Sequence, residues 1–345
     1  MFLFMSDFTI RVAQVSNLET PLIVESLDEI PYELNGDDTA ELLRNAVKGK
    51  EGKYLMGACG VAFCSQFLHK LKLENKYRSI TADAFPEILK ERFNVNVEEN
   101  SVAVISGETG QDYNPETDTS KDILFCGALT SSFRERQSLL VSANIFPVRL
   151  ELGIIGSIGS ILSYANQIEN KDPFLFIDID SHKTQVLILK EGQVEVAHAI
   201  QHGFNAMLPH LQRSLKFHDE SSTKEALYSG SLSNTEESQT LALEKIVKEL
   251  KSYTGFYEVQ TGRTINHVYF NGLSQRMDWI AQHLAEKLYL QLMAVDFSKW
   301  LPAQKISCDQ SIKLENLHSS WLTLFSLMSN VIEKTPDVSI PKESK

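Results

Sequence analysis

Basic charge is scarce in this sequence: 33 lysines and arginines stand against 45 acids, a formal net charge of −12. Broad nucleic-acid binding through phosphate neutralisation needs a basic face, and this balance argues against one. Cysteine is also scarce. Cys59, Cys64, Cys126 and Cys308 show no C-x-x-C spacing and no paired histidine signature, so zinc has little support and reduced, buried thiols are expected. Long apolar runs are missing as well. The most apolar internal stretch, LGIIGSIGSILSYA at 152–165, falls short of the roughly 18 residues that a spanning helix needs. The apolar start MFLFMSDFTIRV has no basic n-region and is interrupted by Ser6 and Asp7, so it reads as a first strand and not as a secretory signal. No G-x-S-x-G elbow occurs; GLSQR at 272–276 lacks the second glycine, which leaves nucleophilic catalysis unsupported.

What remains is ordinary globular composition, 43% hydrophobic and 23% charged over 345 residues, enough for two lobes. TIRVAQVS (9–16) and PLIVESLDEIP (21–31) predict a β-hairpin, and DTAELLRNAV (38–47) a helix capped by its aspartate. KYLMGACGVA and QFLHKLKL are further strand candidates. From about 76 a small α+β unit is expected, with a helix over 80–93, strands over 100–108 and 122–130, a helix over 131–145, and an end near Pro147. Residues 148–167 read as a strand entering a helix, and 174–200 as strands reversing at Glu191-Gly192. Helices follow over 205–215, 221–230 and 237–259, then a strand over 265–272 and a helix over 278–290. The closing stretch places Leu314, Leu317, Trp321, Leu324, Phe325 and Met328 at helical spacing, which predicts packing against the second lobe before a polar tail, 333–345.

The most specific local signal is the turn Asp178-Ile179-Asp180-Ser181-His182-Lys183-Thr184 after the apolar FLFI. An acid at the end of a buried strand, followed by a tight turn whose N–H groups face a cleft, can hold phosphate oxygens and the water shell of magnesium. Asp180 stands against this, because such a loop wants glycine for close approach and a carboxylate repels phosphate. A plain hairpin tip with solvated acids reads equally well. Gly153-x-x-Gly156-x-x-Gly159 lacks the G-x-G-x-x-G spacing and reads as close helix-on-sheet packing. His198 and His202 are four apart but lie on a strand and its exit, where two rings need not converge on a metal.

Taken in order, these elements resemble the actin-like ATPase superfamily, and within it the PilM-like proteins of type IV pilus assembly, related to FtsA and to GspL. The carriers are the N-terminal hairpin, the inserted unit, FIDIDSHKTQVLILKEGQVEVAHAIQHGFNAML, SSTKEALYSG, LEKIVKELKSYTGFYE, and INHVYFNGLSQRMDWIAQHLAEKLYLQLMAVDF. The resemblance implies an α/β, ribonuclease H-like two-lobe fold with an inserted α+β subdomain. Its first lobe would comprise 1–75 and 148–172, the insert 76–147, and the second lobe 173–332 with a helical part at about 205–262. It implies nucleotide contacts, if retained, at Asp178, Ser181, Lys183, Thr184, Gly203, Glu249, Asn271 and Gly272. The departures concern ATP and magnesium. Phe4 and Ser6 fall where the first phosphate motif has an acid and a glycine, Asp180 replaces a glycine of the second, and bulky Leu273 follows a shortened adenosine motif.

The resemblance implies a scaffold at the cytoplasmic side of an inner membrane, without a cofactor, a metal or ATP hydrolysis, working among other pilus assembly components and open to self-association. Its partner would be the tail of a PilN-like single-span membrane protein, held between the first lobe and the insert near Leu124, Phe125, Leu129, Phe133, Leu139 and Leu140. The alternative is a weak ATP-binding switch or ATPase of the same system.

Overall fold

The computed structural model describes residues 1–17, 20–31, 39–47, 54–73, 82–229 and 236–333. Strands β1 (Phe2–Met5), β2 (Thr9–Val15) and β3 (Leu22–Pro31) precede helix α1 (Thr39–Ala46) and strand β4 (Leu55–Val61). Then come β5 (Phe67–Lys72), α2 (Phe85–Phe93), β6 (Asn100–Ser106), β7 (Asp122–Leu129), α3 (Thr130–Ser142), β8 (Ile145–Leu152) and α4 (Gly153–Gln167). The second half contributes β9 (Phe174–Ile179), β10 (Thr184–Lys190), β11 (Gln193–Ile200), α5 (Phe204–Leu215), α6 (Glu220–Ser229), α7 (Glu236–Thr261), β12 (His267–Asn271) and α8 (Asp278–Leu288). It closes with β13 (Gln291–Leu292), α9 (Phe297–Ala303), β14 (Ile306–Cys308) and α10 (Leu322–Glu333).

Three sheets result, ordered β14-β3-β2-β1-β4-β8, β11-β10-β9-β12-β13 and β5-β7-β6. The opening Phe-Leu-Phe-Met is apolar without alternation because both faces of β1 are covered. Phe2 and Phe4 enter the core that holds α4 and α10, while Leu3 and Met5 face the core of α1 and α3. The Phe-Leu-Phe of β9 repeats the arrangement. Phe174 and Phe176 join the core of Phe2 and Phe4, while Leu175 and Ile177 pack with α5, α7 and α8. The two lobes therefore share one core. The reversal between β10 and β11 falls at Glu191 and Gly192, with φ of 44° and 82°, as a two-residue hairpin requires.

Three expectations are corrected. The small sheet takes in β5, and α3 leaves it, burying Leu140 and Ala143 in the core of the six-stranded sheet, so the inserted unit lies earlier than 76–147. The closing helix packs on the first lobe: Leu322, Phe325 and Met328 bury against α4 and β1, and a Cβ at Gly60 of β4 would lie 2.9 Å from Leu327. A 3.6-residue stripe reveals that a face is buried but not what covers it. Nor is that helix continuous from Leu314. Short 3₁₀ turns, Leu314–Asn316 and Ser319–Trp321, precede α10. The boundary at 76, the first residues of the helix expected over 80–93, and the tail from 334 lie outside the described residues.

Candidate functional site

The two strand-turn-strand loops meet between the lobes. In the second, Asp178 ends β9 with its side chain on the face of Phe176, toward the first lobe. Asn271 Nδ2 donates to Asp178 Oδ1 at 2.8 Å, and Gln66 Nε2 to Oδ2 at 3.0 Å. Burial pushes the Asp178 carboxyl up to about 7, although the Asn271 hydrogen bond favours the ionised form; nearby Asp180 pushes the same way, while Lys183 and Gln66 oppose. Asp180 Oδ1 accepts from the backbone N–H of His182 at 2.7 Å and of Lys183 at 2.8 Å. Its carboxyl is likewise raised by burial, to about 6, against those two hydrogen bonds. The solvated-acid reading is thus corrected, since both carboxylates are buried.

Little donor capacity is left in this turn. Ser181 Oγ donates to Asp7 Oδ2 at 2.7 Å, and the Ser181 N–H points to the same oxygen at 3.4 Å. Lys183 Nζ is bonded to the Gln66 carbonyl, and Thr184 Oγ1 donates to His202 O at 2.8 Å. At the start of α5, Phe204 N–H donates to Asp180 O at 3.0 Å and Asn205 N–H to Ser181 O at 2.9 Å. Gly203 is required here by space. A Cβ on it would fall 2.3 Å from Asp180 O and 2.6 Å from Lys183 N.

The first turn is closed in the same manner. Ser6 Oγ accepts from Thr9 N–H at 3.2 Å, and the next residue but one, Phe8, is buried in the second lobe. Its ring meets Phe204 edge-on at 5.1 Å and stacks on Tyr228 at 5.5 Å. The third loop follows β12. Gly272 has φ of +65°, which favours glycine, and its carbonyl accepts from Arg11 at 3.2 Å. Arg11, wholly buried on β2, also reaches Ser320 O at 3.1 Å, Thr323 Oγ1 at 3.3 Å and Glu29 at 2.7 Å. Burial alone would raise Glu29, but Arg11 and the Ser274 hydroxyl outweigh it and hold the carboxyl below its ordinary range.

Of the expected nucleotide contacts, the structure brings together Asp178, Ser181, Lys183, Thr184, Gly203, Asn271 and Gly272. Glu249 is not among them. It lies on α7, beside His198 and Tyr253, on the other face of the five-stranded sheet. Asp7, Arg11 and Gln66 were missed, and only Asp7, an acid within the turn, carried any local signal. A nucleoside triphosphate does not fit these residues: the turn's amides are spent on carboxylates, Phe8 fills the space before α5, and Asp7, Asp178 and Asp180 outnumber Lys183. His198 is engaged by the Tyr253 hydroxyl, and no group of metal-binding side chains occurs among the described residues. Cys59 and Cys126 are buried as expected, but Cys64 is exposed and Cys308 half-buried.

A second feature lies between the small sheet and the first lobe. A groove of about 630 Å³ is walled by Ser101 and Ala103 of β6, Phe133 of α3, Leu150 of β8, and Ile155 and Gly159 of α4. A further hollow of about 390 Å³ shares Ile155 and Gly159 with it and reaches Gly192 and Val194 of the second lobe. The glycine run has two roles here. Gly153 packs on Phe4, where a Cβ would meet the ring at 2.4 Å, whereas a Cβ at Gly159 meets nothing within 4 Å. Among the residues expected to hold a partner, Phe133 lines the groove and Leu124 the hollow. Three are corrected, since Phe125 lies in the core under α2 and Leu139 and Leu140 pack in the core of α1 and α3, while Leu129 is exposed at the start of α3, outside the lining of the groove. Alternation along β7 sends neighbours to opposite faces, so one run of apolar residues cannot all face one groove.

No protein-family model and no curated protein matches the chain. Its architecture is the actin-like, two-lobe α/β fold with an inserted α+β subdomain. A chain of the solved PilM-PilN type IV pilus biogenesis complex matches over 96% of this chain and 98% of its own, with a TM-score of 0.69 and 15% identity. The likeness, at that identity, is one of fold: the chain has the PilM-like form of it. Two other solved structures are more distant. One is a protein of actin-like ATPase fold and unknown function from Bacteroides thetaiotaomicron, at 9% identity, 95% and 94% coverage and a TM-score of 0.47. The other is an archaeal actin homologue in complex with ADP, at 12% identity, 97% and 99% coverage and a TM-score of 0.44. Neither bears on function.

Proposed function

We propose that this chain is an actin-like scaffold of a type IV pilus or type II secretion-like assembly platform at the inner membrane, where it docks the cytoplasmic tail of a PilN-like membrane protein and does not hydrolyse ATP. The groove beside α4 carries this reading. Small side chains on both walls, Ser101 and Ala103 on the sheet and Gly156 and Gly159 on the helix, leave room for an extended peptide with apolar side chains. Attachment through a partner agrees with a chain in which no described helix is long and apolar enough to cross a membrane.

The test is calorimetric titration of a synthetic peptide spanning the cytoplasmic tail of the membrane protein encoded beside this one. Saturable binding is expected. Gly159→Leu, which builds into open space, should weaken it by at least about tenfold while the protein stays folded. Absence of saturable binding by the unsubstituted protein would overturn the docking role.

A further inference from the structure

The actin-like fold presents two facing loops between which a phosphate chain could be held, and here the loops hold each other. Asp7 of the first loop takes the hydroxyl of Ser181 at 2.7 Å and faces its N–H. Asp180 folds back on the N–H groups of His182 and Lys183. Phe8 crosses into the second lobe, and Gln66, from the β4–β5 connection, donates to Asp178 while its carbonyl accepts from Lys183. The turn's amides and the Ser181 hydroxyl, which an anionic ligand would use, are taken by carboxylates of the chain itself, and the contacts of Asp7, Phe8 and Gln66 cross from one lobe to the other.

We infer that Asp7 and Phe8 act as a built-in ligand, Asp7 a carboxylate stand-in for phosphate, that latches the two lobes in one closed arrangement without nucleotide, while Asp180 occupies the amides of its own turn. The latch rests on the reading that this protein turns over no ATP, and it adds a consequence for the hollow that adjoins the groove. The hollow beside Gly159 is bounded by α4 on one side and by Gly192 and Val194 on the other, so fixing the lobes fixes its width. A latched scaffold presents the same hollow whatever the nucleotide level of its surroundings.

Amide hydrogen exchange of the full chain tests this, read at residues 181–184 and 204–205 with and without millimolar Mg-ATP. In the unsubstituted protein these amides should be protected, and Mg-ATP should leave them unchanged. Asp7→Ala should speed exchange across both segments by roughly tenfold or more, with α4 and α10 unaffected. Asp7→Asn, which keeps an acceptor for Ser181, should recover most of the protection. If Mg-ATP slows exchange at 181–184, both the latch and the ATP-free reading fall. If Mg-ATP has no effect but Asp7→Ala leaves exchange unchanged, the latch falls and the ATP-free reading stands.

Discussion

At the scale of single residues, Asp178 is the costliest group in the cleft. Its carboxyl is held at about 7 in the folded protein against an ordinary 3.8, mainly by burial. The sign follows from proton uptake. Between about pH 7 and 4 the folded state binds a proton that the unfolded chain does not, so stability rises as the pH falls through 7. Asp180, raised to about 6, contributes in the same direction over a narrower window. Urea unfolding should therefore show higher stability at about pH 5.5 than at pH 8, by an amount on the order of a few kcal/mol. Asp178→Asn should remove most of that slope. Unchanged pH dependence in the variant would show that other groups supply it. Of the charges acting on this group, Asp180 raises it further and Lys183 lowers it without offsetting its burial.

At the scale of elements, α4 joins two jobs along one glycine run. Gly153 lets the helix start against Phe4, while Gly159 opens the groove. The two should respond oppositely to the same change. Gly159→Ala should stabilise the protein by up to about 1 kcal/mol, the usual gain for replacing glycine in an exposed helix interior. Gly153→Ala should destabilise it by roughly 1 to 3 kcal/mol, because the new methyl group collides with a packed ring. Thermal midpoints that move the same way in both variants would contradict this division. The sequence run predicted close helix packing, which holds at Gly153. Its second role was invisible because nothing local indicates that β6 and β7 stand opposite Gly159.

At the scale of the whole molecule, the lobes are joined in more than the cleft. Phe174 and Phe176 of the second sheet share a core with Phe2 and Phe4 of the first, and the chain returns through β14 and α10 to the lobe where it began. Arg11 binds three distant segments, through Glu29, Gly272 and the 320–323 turn. These links predict one cooperative calorimetric transition although the chain is long enough for two. Arg11→Met should lower its midpoint without splitting it, at a cost of roughly 3 to 5 kcal/mol for leaving Glu29 and its neighbours unpaired. Two resolved transitions in the unsubstituted protein would show that the lobes unfold separately.

Periodicity and turn chemistry were enough for most strands and helices, for the order of the elements and so for the actin-like fold, because apolar spacing and turn residues act over a few neighbours. They were also enough to show that the second phosphate-type turn carries a carboxylate where glycine is wanted. What that carboxylate does was decided only in three dimensions. Asp180 caps its own turn, and Asp7 reaches Ser181 across 174 positions of chain. Gln66 reaches Asp178 across 112 positions, Arg11 reaches Thr323 across 312, and α10 returns to the first lobe. Such contacts depend on which surfaces the folded chain brings together, and an amphipathic stripe or a lone buried charge does not name its partner. The sequence by itself determined the elements and their faces; the closed cleft and the open groove followed from how those faces were paired.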